Sequence, residues 1–182
     1  MPFGRRIKIE DFEGAALPHL KDLYRTAARL TADRTEGEDL VQEVYLQAWK
    51  SFHRFEIGTN CRAWLFKIMF NKFKHYRRKR FKLIGDSEKT LESLTYEPPV
   101  PEHLSDEDIL MALGKIPEQY RETILLADVE EFSYKEAAFI LKVPVGTVMS
   151  RLSRGRRLLR VALAETAESY GIKNVQKGAD QG

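Results

Sequence analysis

The sequence predicts an all-α protein: two small helical domains joined by a flexible acidic linker, the C-terminal one built on a helix-turn-helix. Three observations carry this expectation. Apolar residues recur every three or four positions along most of the chain, the spacing of helices with one buried face. Capping pairs stand at Thr35/Glu38, Ser105/Asp108 and Ser133/Glu136, where three of those helices should begin. Charge comes in blocks: Thr59–Lys82 holds nine lysines and arginines and no acid, Asp86–Asp108 holds eight acids against Lys89, and Ala137–Ala164 holds six basic residues and no acid. A chain of 182 residues has room for one domain or two small ones. The expected boundaries are residues 1–82, a linker over 83–104, a second domain over 105–170 and a loose polar tail over 171–182.

Met1–Glu13 has little periodicity and reads as a loose lead-in. Leu17, Leu20, Leu23, Tyr24, Ala27 and Leu30 then recur at helical spacing, with Pro18 near the start, where its missing N–H costs nothing. After a polar turn, the Thr35/Glu38 pair should cap a helix over Glu38–Phe52. This helix is apolar on two sides. Leu40, Val41, Val44 and Ala48 make a core face, whereas Gln42, Tyr45, Leu46 and Trp49, flanked by Asp39 and Glu43, cluster opposite. A second apolar face asks for a partner, or for a neighbouring loop that covers Tyr45 and Trp49.

His53–Asn60 is a connecting loop with Gly58, Phe55 and Ile57, small and aromatic enough to form a pocket for an unstacked base. It leads into the basic helix. There Leu65, Phe66, Met69, Phe73 and Tyr76 gather on one buried side, and Trp64, Lys67, Asn71, Lys74 and His75 form a stripe on the other. An aromatic plate, an amide and several cations on one surface point to nucleic acid. Trp64 taken alone fits core filling equally well.

The linker carries Pro98, Pro99 and Pro101, and its 22 residues could span about 70 Å at full stretch. Beyond it, Ser105 and Asp108 cap a helix bearing Ile109, Leu110 and Leu113, closed by Gly114, and Pro117 opens a helix over Glu118–Val129. A short helix over Tyr134–Leu141, a turn over Lys142–Val145 and a basic helix from Gly146 to about Glu168 complete a helix-turn-helix. Val148, Leu152, Leu159 and Leu163 should pack inward. Ser150, Ser153, Arg154 and Arg157 face outward, with Gly146, Thr147 and Met149 at the end that enters a major groove. Arg151, nearer the core edge, is assigned to a phosphate or to Glu136.

Other chemistries find no support. Cys61 is the lone cysteine, so there is no internal disulfide and no cysteine-rich zinc site; it reads as a small filler near a helix start. Four scattered histidines give no metal spacing, and neither a P-loop, a GxGxxG nor a nucleophilic triad occurs. The expectation is a protein that is not an enzyme, with no cofactor and no metal. With no signal peptide and no apolar run of membrane length, it is expected in the cytoplasm, without membrane insertion.

The order of these stretches closely resembles the extracytoplasmic-function (ECF) sigma factors of bacterial RNA polymerase. The likeness rests on DLVQEVYLQAWKSFHRF at Asp39–Phe55, GTNCRAWLFKIMFNKFKHYRRK from Gly58 to Lys79, IPEQYRETILLADVEEFSYKEAA from Ile116 and PVGTVMSRLSRGRRLLR from Pro144. It implies a promoter-recognition subunit in which residues 1–82 are sigma region 2 and residues 105–170 are sigma region 4. By the resemblance, Asp39, Gln42, Glu43, Tyr45, Leu46 and Trp49 dock on the clamp helices of the polymerase largest subunit, with the polymerase flap a further contact. The loop Phe55–Asn60 with Trp64, Lys67, Asn71, Lys74 and His75 would hold the opened minus-ten strand. The duplex minus-thirty-five element would be read through Met149, Ser150, Ser153, Arg154 and Arg156, with Gly146 and Thr147 on phosphates. Helical angle favours Arg157 where the resemblance favours Arg156, and Met149 stands where relatives commonly carry a charge. An anti-sigma protein is a further implied partner. The competing account is a stand-alone helix-turn-helix regulator that binds duplex DNA without polymerase.

Overall fold

In a computed structural model describing residues 8–84, 98–99 and 102–169, every regular element is helical. Four helices form the N-terminal unit: α1 (Ile9–Ala16), α2 (Leu20–Thr31), α3 (Arg34–Ser51) and α4 (Cys61–Ile84). Four form the C-terminal unit: α5 (Asp106–Lys115), α6 (Glu118–Ile124), α7 (Tyr134–Leu141) and α8 (Val145–Ser169). Most of the stretch expected as a linker, and the C-terminal tail, lie outside the described residues.

The expectation of a loose lead-in fails from Ile9 onward. Phe12 is buried, its ring meeting Trp49 and Phe52 edge-on with centroids 5.2 Å away in each case. One aromatic anchor fixes α1 without a long apolar stripe. A 3-10 turn at Leu17–His19, with Pro18 inside it, then breaks the helix. That break leaves Leu17 and Leu20 exposed, whereas Leu23, Ala27 and Leu30 are fully buried as expected.

Helix α2 ends on Ala32 in the left-handed region, and α3 starts at Arg34, earlier than the Thr35/Glu38 pair predicts. Asp33 is the cap: its carboxylate accepts the Glu36 N–H at 2.9 Å. Small residues then let α2 and α3 approach closely, with Gly37 against Ala27 and Ala28. On α4, Leu65, Phe66, Met69 and Phe73 are buried as expected and Phe70 joins them, but Tyr76 is exposed.

The C-terminal unit follows the capping chemistry. Ser105 with Asp108 and Ser133 with Glu136 both form reciprocal capping boxes, and Lys142 closes α7 in the left-handed region. α5 runs through Gly114 to Lys115. The stretch expected as one helix over Glu118–Val129 is α6 followed by a wider π turn at Leu125–Val129. Val148, Leu152 and Leu163 of α8 pack inward, and Gly155 is buried where α8 crosses α6. A Cβ at Gly155 would sit 3.0 Å from Ile124 Cδ1 and 3.1 Å from Tyr120 Cβ. Gly155→Ala gains about 1 kcal/mol of helix propensity and loses about 1–3 kcal/mol to overpacking that side-chain shifts can relieve. The net loss should stay within about 2 kcal/mol, lowering the melting temperature by no more than about 8 °C in a thermal unfolding scan.

The two units are packed together instead of held apart. Phe66 of α4 meets Phe132, just before α7, edge-on at 5.0 Å, and the Arg62 guanidinium lies 4.4 Å from the Phe132 ring centroid. Buried Arg121 of α6 donates to the carbonyl of Leu30 at 2.6 Å, near the C-terminus of α2 where unsatisfied carbonyls collect. The hydrophobic core is therefore continuous between the units.

Candidate functional site

Three surfaces carry the residues singled out from sequence. The first is the outer face of α3. Asp39, Gln42, Glu43, Leu46 and Trp49 are exposed there, Leu46 at 56% and Trp49 at 37%. Tyr45 is different. Its hydroxyl donates to the Ala16 carbonyl at 2.8 Å and its ring meets Phe12 edge-on, and burial pushes its pKa up to about 12. Tyr45 thus holds α1 onto α3, so the apolar second face is partly covered from within, the alternative left open by the sequence. Beside the exposed residues, a groove of about 530 Å³ runs between α3 and α4, with acidic Glu36, Asp39 and Glu43 at its edge and Leu40, Phe73 and Tyr76 along its wall. Lys72 pairs with Glu43 across it at 3.4 Å.

The second surface begins where Asn60 caps α4, its amide oxygen accepting the Ala63 N–H at 3.0 Å. The loop before it is held by rings: Phe52 stacks on Phe55 at 5.5 Å, and Phe55 lies 4.9 Å from Trp64. Trp64 is therefore half-buried in an aromatic cluster and supports the loop, besides lining a pocket of about 460 Å³ with Phe55 and Asn60. Cys61 is buried beneath, and burial pushes its thiol up to about 11, which suits a filler and leaves little thiolate. The stripe expected along α4 divides. Asn71 and His75 border a separate cavity of about 650 Å³ against α3, with Gln47 and Ser51. Lys67 and Lys74 turn to the C-terminal unit: Lys67 Nζ lies 3.6 Å from the Phe139 ring centroid, and Lys74 Nζ donates to the Leu141 carbonyl at 3.3 Å.

The third surface is the start of α8. Gly146, Met149, Ser150, Ser153 and Arg154 are exposed on one side and Thr147 is half-buried, so the helix start is open, as a helix that enters a major groove must be. Arg157 is exposed as its helical angle predicts. Arg156 is exposed too, but its guanidinium grips Asp128 in a two-point pair, Nη2 to Oδ1 at 2.7 Å and Nε to Oδ2 at 2.9 Å. Arg151 does not meet Glu136; it lies near enough to Glu122 to draw that carboxyl's pKa down. Glu136 is held by Ser133 and by Asn60.

Several residues at these surfaces carry no sequence signal that periodicity could catch. Glu136 was legible as a cap, but not as the acceptor of the Asn60 amide N–H at 3.1 Å across the two units. Arg62 was legible as one charge among nine, not as the partner of buried Glu130. Lys135, Glu136 and Phe139 of α7 complete the wall of the Trp64 pocket.

Comparison with known proteins gives this arrangement its context. Residues 16–82 match the family model for Sigma-70 region 2, and residues 106–159 match that for Sigma-70, region 4. The chain is 37% identical over 162 residues to the ECF RNA polymerase sigma factor EcfG of Rhodopseudomonas palustris, covering 86% of each chain. Among solved structures, it resembles the sigma factor RpoE of Bartonella quintana, crystallised with the anti-sigma factor NepR. That match has a TM-score of 0.71 and 36% identity and covers 86% of this chain and 98% of that one. A second likeness is to CnrH in complex with the cytosolic domain of CnrY, with a TM-score of 0.62 and 26% identity over 85% of this chain and 88% of that one. Both matched regions lie on the helices that carry the three surfaces, in the same order, and the chain belongs to the ECF sigma factors of RNA polymerase.

Proposed function

We propose that this protein binds core RNA polymerase through the exposed face of α3, holds the melted minus-ten strand against the pocket around Trp64 and α4, and reads the minus-thirty-five duplex with the start of α8. The observation that carries the proposal is the co-occurrence of three surfaces of different chemistry on one small chain. An acidic and apolar face suits a protein partner, an aromatic pocket beside lysines suits an unstacked base, and an open helix start with Ser150, Ser153 and Arg154 suits a major groove. A stand-alone regulator would use the third surface and leave the other two idle. Sigma makes no bond in this reading. It lends polymerase sequence preference and offsets the cost of strand separation by trapping unstacked bases, at about 1–3 kcal/mol for each aromatic stack.

The assignment divides the chain into region 2 over residues 1–82, a linker over 83–104 and region 4 over 105–170. A polymerase subunit works where the chromosome is, so the reading carries a cytoplasmic location with it. An anti-sigma protein as a further partner is supported by the two structural relatives, each of which is a complex with one or with a partner's cytosolic domain.

Run-off transcription with core polymerase and a library of promoter fragments tests the proposal: specific starts should appear only when this chain is added. For the docking face, Gln42→Ala with Leu46→Ala is the cleaner pair, because Trp49 also packs on Phe12 and its removal would disturb α1. The double variant should weaken binding to core polymerase about tenfold and leave the melting temperature of the free protein unchanged. Normal affinity would remove α3 from the interface.

A further inference from the structure

We propose that Asp128 is a positioning residue for duplex reading: it braces Arg156 of α8 so that the guanidinium meets a guanine edge of the minus-thirty-five segment in one fixed direction. This rests on the function proposed above and adds to it one letter and the residue behind the preference for that letter.

Both partners are placed by the backbone around them. Gly155 lets α8 come close to α6 at Ile124. Asp128 follows Ile124 by four residues and Arg156 follows Gly155 by one, so the close crossing brings the two side by side. Asp128 stands in the π turn at Leu125–Val129. The turn is closed by the Glu130 N–H, which donates to the Leu125 carbonyl at 3.0 Å, and by the Phe132 N–H, which donates to the Leu126 carbonyl at 2.9 Å. Turns of this width recur at functional sites. Buried Phe132 and the Ser133 cap then fix the start of α7, where Tyr134 is a further hydrogen-bond partner of the Arg156 guanidinium.

The pair itself, Nη2 to Oδ1 at 2.7 Å and Nε to Oδ2 at 2.9 Å, is open to water, with the Arg156 side chain 51% exposed and that of Asp128 33%. An ion pair so exposed adds little to folding. What a two-point contact does supply is direction. The carboxylate holds one side of the fork, and a guanidinium has five N–H donors, so donors remain for another acceptor. DNA offers two kinds. A phosphate draws a cation by charge, and the neighbouring carboxylate offsets that charge. A guanine edge accepts two N–H groups at O6 and N7 and depends on their direction. The brace therefore favours the base. Position agrees: Met149, Ser153 and Arg156 stand at i, i+4 and i+7 on one line of α8, with Arg156 about 10 Å along the axis from Met149. A side chain already held also gives up less freedom on binding than a loose one.

Holoenzyme assembled from core polymerase and the full chain, with promoters selected from a random library by run-off, tests the brace. One position of the selected minus-thirty-five segment should demand guanine, any other base there weakening promoter binding about tenfold. Asp128→Asn should cut that penalty to about twofold. It should leave the penalties at other positions as they were, and binding to a scrambled segment unchanged or tighter. Arg156→Lys keeps the charge and loses the fork, so it should relax the same position, and it serves equally if Asp128→Asn disturbs the fold. Added to Arg156→Ala, Asp128→Asn should not alter the penalties further, since it acts through that one guanidinium. The proposal is overturned if Asp128→Asn and Arg156→Lys keep the parent's penalties, or if they lower them at every position alike, as a loosened fold would. It is overturned equally if Asp128→Asn still changes the penalties of the Arg156→Ala holoenzyme. A parent holoenzyme that starts nowhere would sink the sigma reading and this inference with it, whereas normal starts with an unaltered letter preference would sink this inference alone.

Discussion

Gly37→Ala should destabilise the protein by about 3 kcal/mol or more, lowering its melting temperature by roughly 6–12 °C. Gly37 lies one turn into α3, and a Cβ there would fall 2.7 Å from both the Cα and the N of Ala28 and 3.0 Å from the Ala27 carbonyl carbon. Those neighbours are backbone of α2, so no rotamer change relieves the clash and the two helices must separate along their contact. The gain in helix propensity, about 1 kcal/mol, is too small to offset this. Gly155→Ala meets the end of an isoleucine and a single Cβ instead, which is why its effect should be milder. Gly14→Ala in α1, where nothing lies within 4 Å of the added carbon, is the control and should be neutral or slightly stabilising. Because α3 also carries Asp39, Gln42, Glu43 and Leu46, the face proposed above to bind polymerase, a displaced α3 should weaken that proposed binding as well. A Gly37→Ala protein that melts like the parent would mean that α2 and α3 do not cross this closely.

What the sequence disclosed follows the range over which each signal acts. Capping is local, and Ser105/Asp108 and Ser133/Glu136 place the starts of α5 and α7 as read. Helical spacing is nearly as local, and it finds the buried side of α4 and the stripe of α8. The Thr35/Glu38 box failed because Asp33, two residues earlier, caps the same helix end first. Helix α1 escaped because one ring, Phe12, anchors it with Ala16, and no periodicity can be read from so few positions. Larger misses came from distance along the chain. Charge blocks read as basic, acidic, basic describe solvated faces, yet Arg62 pairs with Glu130 and Arg77 with Glu118, partners 68 and 41 residues apart that no window brings together. Wheels show which side of a helix is free but not what lies on it, so Lys67 and Lys74 looked available when α7 holds them. The same limit divides the assigned site: Asn71 and His75 face α3, whereas Lys67 and Lys74 face α7, although all four lie on one stripe.

Glu122→Gln should flatten the dependence of stability on pH between about 4.5 and 7 and leave the variant more stable than the parent at neutral pH. Glu122 of α6 is 3% exposed and its Oε1 has no hydrogen-bond partner. Burial pushes its carboxyl pKa up from 4.5 to about 7; Lys74 opposes that shift, Glu118 adds to it, and Arg151 and Arg121 pull it down in part. A carboxyl whose pKa is higher in the folded state binds its proton more tightly there. Its cost is absent below the unfolded value, grows as pH rises, and is fully present above the folded value. Across that window the parent should lose on the order of 3 kcal/mol through this one group. Groups with lowered values work in the opposite sense, Asp108 and Glu136 being held down by their Ser105 and Ser133 caps, so the parent's total slope mixes both. The difference between parent and Glu122→Gln isolates the buried carboxyl, since both retain the caps. Denaturant midpoints measured at pH 4.5, 6 and 8 should converge at the acid end and diverge with the variant higher at the alkaline end. Parallel profiles would mean that Glu122 ionises in the folded protein as it does in the unfolded chain, with water or a counter-charge reaching Oε1.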